Sequence, residues 1–186
     1  FRRLWPYVLF GVGLIGIQII ALRSMGEPFV SSQGFHLWNG DTQGSRNSQD
    51  LFDPYSFVHI LFGMLFYWIL SFFSKKLSPE HRLLIVLILE VCWELVENSS
   101  LVVDRYRTAT VAFGYRGDTI INSVSDVLCN LFGFWLAMKL PTKISLVLFL
   151  VIEAALLSIT RDDLALNALM LLYPLHSVKI WQLGGM

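Results

Sequence analysis

The chain has 186 residues, of which 55% are hydrophobic and only 15% charged, and its mean hydropathy is positive, which soluble domains seldom reach. With 14 basic and 14 acidic residues the formal net charge is zero, which leaves neither a basic footprint for nucleic acid nor an acidic tail. The expected fold class is all-α: a polytopic transmembrane helical bundle forming one integral membrane domain over residues 1–186, with membrane lipids or a membrane protein complex as partners.

A membrane helix needs about 20 apolar residues. The first such stretch runs from 4 to 22, behind Arg2 and Arg3. The sequence opens on Phe1 rather than Met, so a chain trimmed at its start is expected. The stretch is too long for a signal-peptide core and has no small-residue cleavage site before Arg23, so it reads as an uncleaved first span. Residues 23–52 form a long loop rich in Gly, Ser, Asn and Gln that also holds Phe29, Phe35 and Trp38. A loop of that length is usually functional or mobile, and its aromatics predict a position on the membrane surface. Asp53 followed by Pro54 is a helix start, because the carboxylate can cap free backbone amides and proline suits the first helical position. Further spans are expected over 54–73, 83–101, 119–138 and 144–160, with a loop bearing Arg and Asp, 102–118, between the third and the fourth. In the C-terminal segment 161–186, the stretch 164–173 is too short to cross alone, Pro174 follows it and Trp181 lies near its end. An interfacial or re-entrant segment is expected there, with a sixth span as the alternative. Cys92 and Cys129 each lie inside an apolar run and read as small hydrophobes rather than a disulfide.

Cytoplasmic loops retain Lys and Arg. A cytoplasmic N-terminus puts Arg2 and Arg3, then Lys75, Lys76 and Arg82, then Lys139 and Lys143 on one side, and sends 23–52, 102–118 and 161–163 to the other, periplasmic side. Arg105, Arg107 and Arg116 break this rule, but they sit among Asp104 and Asp118 and read as paired site residues.

Ionisable groups inside a bilayer are costly, and each is a functional hypothesis by default. Here they fall into helical registers: Ser56, His59 and Gly63 below Asp53 on the second span, Glu90, Glu94 and Glu97 on the third, and Asn122, Asp126, Asn130 and Gly133 on the fourth. At about 1.5 Å per residue, His59 lies roughly 9 Å below Asp53, Glu90 roughly 10 Å below Glu97, and Asp126 roughly 12 Å below Asp118. Three helices thus carry polar groups to a similar depth, and Gly63 and Gly133 would allow close approach. Single polar residues in membrane helices often serve only as interhelical hydrogen bonds, whereas clustered carboxylates repel and must be protonated, paired or bridged by a cation. Three chemistries fit these residues. A divalent metal could sit among His59, Glu94 and Asp126 and activate water, although their spacing is not diagnostic. Asp126 could share a proton with Asp118 or Asp104 as an aspartyl hydrolase pair. Arg105 and Arg107 could grip a phosphate or carboxylate, or form only local ion pairs on a solvated loop.

At these residues the sequence resembles known proteins. Asp53-Pro-Tyr-Ser-Phe-Val-His59, Trp93-Glu94-Leu-Val-Glu97-Asn98, Asp104-Arg105-Tyr106-Arg107, Gly117-Asp118-Thr-Ile-Ile-Asn122-Ser-Val-Ser-Asp126 and Arg161-Asp162-Asp163-Leu-Ala-Leu-Asn167 are similar, over nearly the whole chain, to an uncharacterised family of bacterial inner-membrane proteins. That resemblance implies the inner membrane and no particular activity. More distantly, Asp53, His59 and Gly63, the Glu90 and Glu94 pair, and Asp126, Asn130 and Gly133 resemble the VanZ-like superfamily of envelope proteins. Asn98, Asp104-Arg105, Asn122-Ser-Val-Ser-Asp126 and Gly133 resemble the motifs of lipoprotein signal peptidase. The Asn98 to Asp104 spacing is longer than in that family, and its glycine-rich lead and early Asn-x-Gly motif have no counterpart here.

The functional expectation is a multi-pass inner-membrane protein with a polar intramembrane pocket facing the periplasm, which binds and could hydrolyse or transfer a lipid-linked or amphiphilic envelope substrate. His59, Glu94 and Asp126 form the expected catalytic core and candidate metal ligands. Asp53, Glu90, Glu97, Asn98, Asp118, Asn122 and Asn130 surround them, with Asp104, Arg105 and Arg107 at the entrance. The alternatives are a non-enzymatic subunit of a membrane complex and an aspartyl intramembrane protease.

Overall fold

A computed structural model describes residues 5–184, so the topology residues Arg2 and Arg3, and Leu4 of the first stretch, lie outside the described residues. The described residues fold into eight α-helices with no strand among them, in the order α1 (Trp5–Met25), α2 (Pro54–Ser71), α3 (Pro79–Glu97), α4 (Ser100–Ala109), α5 (Ile120–Lys139), α6 (Thr142–Thr160), α7 (Leu164–Leu172) and α8 (His176–Gln182). Helices α1, α2, α5 and α6 are long and apolar enough to cross a membrane. Their outward faces are apolar as well: Ile20 is 68% exposed on α1 and Val147 is 60% exposed on α6. Contiguous apolar surface of this kind is stable against lipid rather than water. Helix α3 matches them in length but carries Glu80, Arg82, Glu90, Glu94 and Glu97, and packs against α1 and α5.

The helix starts follow from local chemistry. Asp53 accepts from the backbone amides of Tyr55 and Ser56 while the Ser56 hydroxyl accepts from the Asp53 amide, a reciprocal capping box with Pro54 at the first helical position. Ser78 caps α3 ahead of Pro79, so that helix begins before its apolar run does. At the other end of α3, Asn98 leaves helical geometry and Ser99 caps a new helix, so the first part of the expected 102–118 loop is the amphipathic helix α4.

Helices α2 and α5 form the central pair. A Cβ on Gly63 would collide with the backbone carbonyl of Asn130, and one on Gly133 with that of Ile60, so the two backbones touch where the glycines face each other. His59 lies one turn before Gly63, and Asn130 and Asp126 lie on the turns before Gly133, so this crossing brings the two polar registers together. The loop between α1 and α2 is stitched over the same end of the bundle. Asn122 Nδ2 donates to the Asp50 carbonyl at 2.9 Å, the Ser125 hydroxyl donates to the Leu51 carbonyl, and Gln49 Nε2 donates to the Gly117 carbonyl at 2.7 Å. Phe29, Phe35 and Trp38 remain exposed on it. After α6, Arg161 takes a left-handed conformation (φ 56°), and α7 and α8 form a hairpin whose far end returns to it: Arg161 donates to the Trp181 carbonyl, and Gln182 to the Arg161 carbonyl. Neither α7 nor α8 is long enough to span. Cys92 and Cys129 are free thiols.

Candidate functional site

The centre of the site is His59, buried between α2, α3 and α5. Its Nδ1 lies 2.5 Å from Glu90 Oε1 and 3.6 Å from Glu94 Oε1, and its Nε2 lies 4.0 Å from Asp126 Oδ2. Each carboxylate is held from behind. Asn130 Nδ2 donates to Glu90 Oε2 at 2.5 Å, the Ser123 hydroxyl to Glu94 Oε2 at 2.6 Å, and the Ser56 hydroxyl to Asp126 Oδ1 at 2.9 Å. Gln18 Nε2 on α1 in turn donates to the Ser123 hydroxyl at 2.8 Å, so four helices contribute to one polar network.

Two imbalances define its chemistry. Three carboxylates face one imidazole, and among the described residues no lysine or arginine pairs with them, so the excess negative charge calls for protons or a cation. Acceptors also outnumber donors: Glu94 Oε1, Asn130 Oδ1 and Gln18 Oε1 are buried without a hydrogen-bond partner. An orphaned buried oxygen costs about 1–3 kcal/mol, which a bound cation or water would relieve. One atom each from His59, Glu90 and Glu94 lie within 4.8 Å of one another, compact enough to hold a metal ion. Two ligands at tetrahedral angles with bonds of about 2.1 Å stand about 3.4 Å apart. The 3.6 Å between His59 and Glu94 matches that separation, and the 2.5 Å between His59 and Glu90 would have to widen on binding.

A second tier lies towards the loops. Asn98 donates to the Glu94 carbonyl and to Asp118 Oδ2, and accepts from the Asp118 amide at 2.6 Å; the Tyr115 hydroxyl donates to Asp118 Oδ1. Burial pushes the Asp118 carboxyl up to about 6, against the lowering effect of Asn98. Burial and the neighbouring Glu97 hold the Tyr106 phenol well above its ordinary range. Tyr55, Tyr106 and Tyr115 line, with His59 and Asn167, a cavity of about 30 Å³. That is room for about two waters, at 10–15 Å³ each.

Of the residues expected from sequence, His59, Glu90, Glu94, Asp126 and Asn130 converge, with Glu97, Asn98 and Asp118 just above them. Asp53 caps α2, with Oδ2 unpartnered and its carboxyl raised by burial. Asn122 is committed to the loop carbonyl. The expected entrance residues lie elsewhere: Asp104 and Arg107 are exposed on α4, and Arg105 donates to the carbonyls of Leu171 and Leu172, pinning the end of α7. Gln18, Ser123 and the three tyrosines were not anticipated. Gln18 alone carried a signal, as an isolated amide in the first apolar stretch.

Fold and site together define a bundle of membrane-spanning character built around a buried histidine–carboxylate centre. The chain belongs to the family described as protein of unknown function (DUF2585), whose profile matches residues 22–184. It is similar to a UPF0314 protein of Sinorhizobium fredii, 40% identical over 184 residues that cover 98% of this chain and 93% of the relative, and to a UPF0314 protein of Paracoccus denitrificans, 42% identical over 181 residues, 97% and 94% of the two chains. A third UPF0314 protein, from Novosphingobium aromaticivorans, is 40% identical over 183 residues, 95% of this chain and 91% of the relative. No solved structure matches.

Proposed function

We propose that this protein is a metal-dependent hydrolase of the bacterial inner membrane, in which His59, Glu90 and Glu94 hold a divalent cation and a lipid-linked or amphiphilic envelope molecule is the substrate. Helix α3 is then a fifth span alongside α1, α2, α5 and α6, kept in the bilayer by burying its acids inward. The basic clusters at Lys75–Lys76 and Lys139–Lys143 lie at the turns that join α2 to α3 and α5 to α6, which supports a cytoplasmic location for that end and a periplasm-facing site. The observation that carries the proposal is the compact group of three buried ligand atoms, one of which, Glu94 Oε1, has no donor of its own.

A divalent cation held by His59, Glu90 and Glu94 would supply the activation of a water for attack. Asp126, on the far side of the imidazole and 4.0 Å from Nε2, orients His59. In hydrolysis the water oxygen bonds to the electrophilic carbon or phosphorus of an ester and its proton passes to a carboxylate of the centre. The ester C–O or P–O bond then breaks, and the same proton goes to the departing alcohol, so one water is added across one ester.

The test is metal content of the detergent-solubilised full chain after chelation and reloading with Zn²⁺ or Mn²⁺. About one ion per chain is expected for the wild type, with loss in His59→Ala and Glu94→Gln. If the wild type retains no more metal than these variants, and they lose only thermal stability, the polar network is an interhelical lock, as the Gln18–Ser123–Glu94 chain across three helices would also allow.

A further inference from the structure

We infer that the substrate of this centre is a membrane lipid that enters sideways from the bilayer, its acyl chain lying in the groove between α2, α3 and α7 and its head-group ester at the groove's inner end beside Glu90, where the small tyrosine-lined cavity next to His59 begins. The inference rests on the functional proposal above and adds to it the route and the tail.

The groove has a volume of about 320 Å³ and walls of Phe62, Phe66, Leu89, Trp93, Leu171 and Leu172. Glu90, the carboxylate nearest His59, is the one acid that reaches it. Leu89 and Leu172 are 46% and 80% exposed at its edges, so it opens on the apolar surface of the bundle, where only hydrocarbon is at hand. Its inner end shares Phe62, Trp93 and Asn167 with the polar cavity that His59 lines. The composition changes at that junction. On the groove side the walls are aromatic and aliphatic; on the cavity side Tyr55, Tyr106, Tyr115 and Asn47 offer hydroxyls and an amide. Asn167 marks the boundary, accepting from the Tyr106 hydroxyl at 3.2 Å. An amphiphile meets this sequence of surfaces in its own order, tail then head, and its head-group ester would come to rest beside Glu90 and His59. The competing apolar groove, between α2 and α5 and lined by Phe57, Ile60, Leu128 and Phe132, shares no residue with the cavity.

The full chain reconstituted in vesicles of phosphatidylethanolamine and phosphatidylglycerol, doped with a phospholipid carrying an alkyl diazirine in its acyl chain, gives a direct readout. Photolabel mapped by peptide mass spectrometry is expected to concentrate on 89–93 of α3 and 168–172 of α7. It should fall several-fold in Leu171→Trp, or in the smaller filling change Ala168→Leu should the tryptophan variant fail to fold. Leu128→Trp, in the competing groove, should leave it unchanged. Labelling spread evenly over the lipid-facing surface, including Val147 and Leu150 of α6, or labelling that neither filling variant reduces, overturns the inference. Metal content is measured on the same samples: a filled groove without metal refutes the hydrolase proposal alone, and metal without preferential labelling refutes the lateral route alone.

Discussion

Gly63→Ala probes the contact on which the site's geometry depends. Its added methyl would overlap the Asn130 carbonyl and lie 2.8 Å from the Phe134 amide nitrogen, both backbone atoms of α5 that no rotamer change can move. Non-bonded atoms prefer about 3.5–4.0 Å, so the helices would have to part by roughly 1 Å or more. Overpacking of this kind costs about 1–3 kcal/mol, and a backbone obstacle argues for the upper end. Alanine returns about 1 kcal/mol of helix propensity, leaving a net loss of about 2 kcal/mol. For a chain of this size that is a fall of about 4–8 °C in Tm. Gly13→Ala is the control: nothing lies near its Cβ, so only the propensity gain remains. Scanning fluorimetry in detergent compares the two. The same separation would draw His59 from Asp126 and Asn130, so metal retention should weaken in Gly63→Ala and hold in Gly13→Ala. A Gly63→Ala protein as stable and as metal-replete as Gly13→Ala would refute the tight crossing.

Asp162 accepts from Tyr55, Asn167 and Gln182 and joins α2, α7 and α8, and burial raises its carboxyl from 3.8 to about 6. A raised folded pKa favours the protonated form, so this contribution is full below about pH 4 and is lost as pH climbs through about 6. It amounts to roughly 3 kcal/mol, and Asp162→Asn should flatten that part of the stability profile; parallel profiles for the two proteins would refute it. Arg105→Ala frees the Leu171 and Leu172 carbonyls, so amide exchange should quicken across 164–182 while α2 and α5 stay protected, and unchanged exchange in the hairpin would count against the pin.

Hydropathy alone located α1, α2, α5 and α6 to within a few residues, because in those segments apolar composition and helix coincide. It did worse where capping chemistry and hydropathy disagree. Helix α3 begins at Pro79, in a polar turn set by Ser78, and ends at Glu97 with Asn98 as its cap, inside what reads as an apolar run up to residue 101. The long loop shows no regular period, yet it is ordered. Its backbone carbonyls are paired with side chains of α5, and such pairing leaves no mark in a local pattern. The C-terminal segment was legible in kind, being too short to span, but its closure through Arg161 and Gln182 depends on one left-handed residue that sequence does not announce.

The site was legible through register because helical periodicity fixes which residues share a face and roughly how deep they lie. What register could not supply is the partner of each group. Ser123 looks like an ordinary small residue until Glu94 is seen to lean on it, and Arg105 looks like a substrate grip until it is found capping the carbonyls of α7. The same limitation explains why α3, too polar in composition to be read as a span, still packs along α1 and α5 in the bundle. Its two buried glutamates, Glu90 and Glu94, would be costly on an isolated apolar helix, and α2 and α5 deliver His59, Ser123 and Asn130 to them, with Gln18 of α1 behind Ser123. Replacing those acids with leucine would relieve the orphaned oxygen at Glu94 but leave His59, Ser123 and Asn130 buried without their partners. That a helix carrying these acids packs against the central pair, and points them at His59, is the physical reason to look for chemistry at this centre.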